Sequence, residues 1–92
     1  MNWIRTYDFK WINLSFVSVI FYLPVYLPDT ELKEIIGYKI FLESPEGTVM
    51  LGCLIDEDDV FDCMDAIIAG KQVTHDPCSE EEIREIYLES KK

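Results

Sequence analysis

The sequence predicts an α+β protein: a small antiparallel sheet of three to four strands with two to three helices packed on one face. Three observations carry this. β-branched and aromatic residues crowd the first half of the chain. A Ser44-Pro45-Glu46-Gly47 turn separates two apolar runs. Two segments with helical apolar spacing then follow, each opened by a capping residue. Ninety-two residues make a single domain, because two would each be too short to support a core. Within it, residues 1–28 form an aromatic strand region, 29–55 a short helix and a hairpin, and 56–92 a pair of acidic helices.

From Trp3 to Lys10 the pattern alternates. Trp3, Tyr7, Phe9 and Trp11 share one parity, with Arg5 among them, and Thr6, Asp8 and Lys10 share the other, as in a half-buried strand. From Val17 to Leu23 nearly every residue is apolar, the pattern of a strand covered on both faces. No glycine or proline marks a turn before it, so residues 2–23 read equally as one long strand or two. Pro24 and Pro28, four apart in Tyr22-Leu23-Pro24-Val25-Tyr26-Leu27-Pro28, predict an extended connection. Asp29 or Thr30 then caps a short helix over Glu31 to Ile36, ended by Gly37.

Tyr38 to Glu43 and Thr48 to Ile55 form the clearest hairpin. Proline at the second turn position and glycine at the fourth suit its turn. The second strand is apolar on both parities, which places it at the centre of the sheet or against a partner. Asp56 caps a helix running to about Ala69 and stopped by Gly70. Val60, Met64, Ile67 and Ile68 form its core stripe, with Phe61 at the edge. Ser79 with Glu82 makes a capping box for the last helix, which buries Ile83, Ile86 and Tyr87.

The charge is uneven. Eighteen acids face eight bases, a net charge of −10, and twelve of the acids lie in residues 56–92. Eight of the twelve aromatic residues lie in the first 26, so the front of the chain reads as core and the back as an acidic surface. Such a surface repels nucleic acid and anionic membranes and attracts basic proteins. Residues 11–28 carry no charge, but Asn13, Ser15 and the prolines interrupt them, and the β-branched composition favours strand over membrane span. Cys53, Cys63 and Cys78 are odd in number and widely spaced, which points to a reducing, cytoplasmic compartment.

Asp58, Asp62 and Asp65 recur at i, i+4 and i+7 on one helix face, and Glu81, Glu85 and Glu89 on another. Acids in a first turn answer the helix dipole, but Asp62, Asp65, Glu85 and Glu89 lie too far along for that. Like charges at this spacing cost roughly 0.2–0.5 kcal/mol per pair. A row of carboxylates held at that cost resembles a phosphate backbone. These six residues are the expected partner contacts. No catalytic, cofactor-binding or metal-ligating residue is expected. Asp56-Glu57-Asp58-Asp59 is consecutive and diverges around a helix, unlike a calcium loop. His75 stands near Cys78 without any CxxC pair, and a turn accounts for it.

The functional expectation is a small, non-enzymatic acidic inhibitor, phage or mobile-element encoded. It would occupy the basic groove of a nuclease or CRISPR effector and bind no nucleic acid or membrane itself. Two alternatives stand beside it. One is an immunity protein or antitoxin against a basic toxin. The other is an assembly subunit that uses the aromatic front as a homodimer.

Overall fold

The computed structural model describes residues 3–27 and 34–90. The chain begins with a hairpin in which β1 (Trp3–Arg5) pairs antiparallel with β2 (Trp11–Asn13), Ile4 lying opposite Ile12. Thr6 builds its turn. The Thr6 N–H donates to the Lys10 carbonyl at 2.7 Å, its Oγ1 accepts from the Lys10 N–H at 3.0 Å, and its hydroxyl donates to the Asp8 carboxylate. Phe9 takes a φ of 63°, a left-handed conformation uncommon without glycine. A 3-10 turn at Leu14–Phe16, capped by the Asn13 side chain, then redirects the chain. Residues 3–23 therefore hold three strand segments.

The main sheet is β3 (Val19–Tyr26), β4 (Ile35–Ser44) and β5 (Gly47–Leu54), all antiparallel in the order β3-β4-β5. The Pro45-Glu46 turn falls where expected, with Ser44 opposite Gly47. The central strand is β4, not the doubly apolar β5. Tyr22 to Tyr26 is strand, not connection, and Pro24 is tolerated because β3 is an edge. Only Val25 of β3 is buried, so the strand is not covered on both faces along its length.

The short helix expected over Glu31 to Ile36 is overturned at its end. Ile35, Ile36 and Gly37 are strand, while residues 31–33 lie outside the described residues. Gly37 is there for space. A Cβ would sit 3.0 Å from both the Ile83 Cδ1 and the Leu54 carbonyl oxygen.

Two helices follow, α1 (Glu57–Ala69) and α2 (Glu80–Ser90). Gly70 ends α1 at a φ of 70°, its N–H reaching the Ala66 and Ile67 carbonyls. Asp56 precedes α1 without a side-chain capping bond. For α2, the Ser79 Oγ accepts the Glu82 N–H at 3.2 Å, as the capping box predicts.

The helices do not share a face. Paired residues in an antiparallel sheet point the same way, and successive residues alternate. Tyr22, Tyr38, Ile40, Leu42 and Leu54 therefore line one face, and Val25, Gly37, Lys39 and Cys53 the other. α1 covers the first face through Val60, Cys63 and Ile67, in one cluster with Ile4, Ile40, Leu42, Leu51 and Leu54. α2 covers the second through Ile83, packed with Val25, Ile36 and Cys53. The connection explains the split. Leaving α1, the chain runs along the outer edge of β5, where Cys78 exchanges two backbone hydrogen bonds with Cys53 at 2.8 and 2.9 Å. It then starts α2 on the far side. Tyr7 docks on the same edge, its N–H donating to the Leu51 carbonyl at 2.8 Å.

Two expected core positions are exposed, Ile68 at 72% and Ile86 at 45%. Cys63 takes the place in the α1 stripe that Ile68 was expected to hold.

Candidate functional site

The acidic face of α1 begins where the helix dipole favours it, with Glu57, Asp58 and Asp59 in the first turn. Tyr22 from the sheet donates its hydroxyl to the Glu57 carboxylate at 3.3 Å. Desolvation, with the Glu57 charge beside it, raises the Tyr22 pKa, so the phenol stays protonated and donating. Edge-to-face contacts from Phe61 and Tyr38 fix the Tyr22 ring.

Asp58, Asp62 and Asp65 are all exposed along α1. Sequence alone gives this helix no basic neighbour, but the fold supplies one. His75, from the segment after α1, places its Nε2 3.8 Å from both an Asp59 and an Asp62 carboxylate oxygen. On α2, Glu81, Glu85 and Glu89 are likewise exposed, while Glu80 faces Lys39 and Arg84, each at 3.7 Å. No ion pair among the described residues reaches Asp58, Asp65, Glu81, Glu85 or Glu89. Because α1 and α2 cover opposite faces of the sheet, the two rows of carboxylates do not join into one surface.

A second surface lies at the front of the chain, where sequence pointed to core. In the first hairpin Ile4 and Thr6 turn inward, and Trp3, Arg5 and Trp11 turn out. Trp3, Phe9, Trp11 and Phe16 are 51–75% exposed, and the Arg5 guanidinium lies 5.3 Å from the Phe9 ring centre. Between hairpin and helix runs an open groove of about 1030 Å³, lined among others by Trp3, Phe9, Trp11, Ile68 and His75. The signal that could have revealed this surface is Arg5. A charged residue sharing parity with Trp3 and Trp11 marks the outward side of a strand.

The cysteines do no visible chemistry. Burial pushes the Cys53 thiol up to about 12 and Cys63 to about 11, and raises Cys78 as well, so none is a ready thiolate. Among the described residues no helix is long and apolar enough to cross a membrane. The uncharged stretch at residues 11–27 runs through β2, the 3-10 turn and β3.

No protein-family model matches the chain, and neither the curated proteins nor the solved structures contain a match to it.

Proposed function

We propose that the protein is a non-catalytic acidic binding protein that neutralises a basic protein partner, with the outer face of α1 as the principal contact. The observation that carries this reading is the exposed row Asp58, Asp62 and Asp65 on a helix that contributes no basic side chain of its own. A partner that ordinarily grips phosphates, such as a nuclease or CRISPR effector, offers the complementary groove. The α2 row faces away from that contact and serves solubility. Opposed faces thus reduce the expected six-residue contact to three.

The test is capture of partners from host lysate, followed by binding of the recovered partner at rising salt. Affinity should fall steeply between low and high salt, and added DNA or RNA should compete. Asp58→Asn/Asp65→Asn should weaken binding, and Glu81→Gln/Glu85→Gln should not. A salt-insensitive affinity, or equal loss from both pairs, would refute the α1 assignment.

The exposed aromatic hairpin favours a second reading, an assembly subunit. Contiguous apolar surface of this kind commonly marks protein interfaces. A dimer whose mass in light scattering is unmoved by salt and lost in Trp3→Ser/Trp11→Ser would favour it over the acidic contact.

A further inference from the structure

Asp59, Asp62 and His75 come together only in the fold. The two aspartates stand one helical turn apart on α1, and the histidine arrives from the segment that follows it. One donor atom from each lies within 4.8 Å of the other two. The distances are informative because they lie within ion-pair reach but beyond hydrogen bonding. At 3.8 Å from each carboxylate oxygen, Nε2 is beyond hydrogen-bond range of both. The imidazole nitrogen and the two oxygens therefore ring a gap instead of closing on one another.

We propose that Asp59, Asp62 and His75 form a binding site for a divalent first-row transition metal, of which zinc is the representative. Zinc bonds nitrogen and carboxylate oxygen at about 2.0–2.2 Å, which sets neighbouring donors about 3.4 Å apart in a tetrahedral shell. Modest rotation of two carboxylates at the surface reaches that spacing. The nitrogen donor selects zinc, cobalt or nickel over magnesium and calcium, which prefer all-oxygen shells. Three protein ligands leave a fourth position for water. Asp58 and Asp65, on the same helix, add negative potential that favours a cation. Bound there, the metal ties the segment after α1 to the helix itself and so fixes the wall of the groove that His75 lines. The site goes beyond the proposed partner contact and shares only Asp62 with it.

The test is calorimetric titration of metal-free protein with zinc chloride at pH 7.5. Thermal unfolding is followed in parallel. One zinc per chain should bind, and Tm should rise by about 4–8 °C once zinc exceeds its Kd severalfold. His75→Gln and Asp62→Asn should each weaken binding at least tenfold. Cys78→Ser should leave it unchanged, and so should Glu81→Gln/Glu85→Gln, which removes comparable charge from the opposite face. Millimolar magnesium should not compete. Circular dichroism of each variant checks that it is folded, and the zinc-induced shift of the His75 ring nitrogens reads the bond directly in the wild type. Absence of saturable binding, full affinity in His75→Gln, or an unshifted His75 resonance would overturn the proposal.

Discussion

Replacing Gly52 with alanine should loosen both segments docked on the outer edge of β5. Gly52 has a φ of 145°, which side-chain-bearing residues rarely adopt. A Cβ there would lie 2.4 Å from the Pro77 Cβ and 3.1 Å from the Tyr7 Cβ. Neither neighbour can swing aside as a flexible side-chain tip would. Pro77 adjoins the backbone pairing of Cys78 with Cys53, and Tyr7 is itself bonded to the Leu51 carbonyl. Backbone strain of about 1–3 kcal/mol adds to about 1–3 kcal/mol for overpacking. The expected loss is on the order of 3 kcal/mol, a large part of the roughly 5–14 kcal/mol available to a chain of this size. Urea unfolding followed by tryptophan fluorescence measures it. Hydrogen exchange localises it, since the Tyr7 and Cys78 amides should lose protection before those at the centre of β4. A loss under about 0.5 kcal/mol, with both amides still protected, would refute the close-approach argument.

Ile83→Ala should cost about 2–5 kcal/mol, because Ile83 is fully buried and is the one buried residue of α2 among those described; hydrogen exchange should show the α2 amides opening first. The hydrogen bond from Thr6 holds the Asp8 carboxyl below its ordinary 3.8, so its contribution to stability is complete above that pH and fades as pH falls through the lowered value. Thr6→Val should return the Asp8 pKa toward 3.8 in an NMR titration, and an unmoved value would remove Thr6 as the cause. In the native protein Cys78 should react first with a thiol reagent, and Cys53 and Cys63 only at the rate of opening. Equal rates for all three would contradict their burial.

The sequence made the local structure of the second half legible. Pro45 and Gly47 bound the hairpin, Gly70 ends α1, and Ser79 opens α2 by accepting the Glu82 N–H, because each signal acts through its nearest neighbours, and Asp56 marks the start of α1 without a capping bond. The front of the chain hid its turn, since Thr6 side-chain bonds and a left-handed Phe9 do the work usually left to glycine. Gly37 misled in the opposite way. It looked like a helix stop, but its missing Cβ makes room for Ile83, a contact forty-six positions away. Separation in sequence also concealed the site. The carboxylate rows follow from helical spacing, but their placement on opposite faces depends on the path of residues 70–79. So does the meeting of His75 with Asp59 and Asp62.

That path along β5 also limits how far copies of the sheet can add to one another. A sheet with two open edges can grow indefinitely by strand addition. Here Tyr7 and Cys78 already occupy the backbone groups of Leu51 and Cys53 on the outer edge of β5, and the opposite flank of this sheet is β3, interrupted by Pro24. Two copies joined β3 to β3 would use the β3 flank of each at once. Such a union would leave the partly occupied β5 edges outermost, where Tyr7 and Cys78 stand in the way of further strand addition.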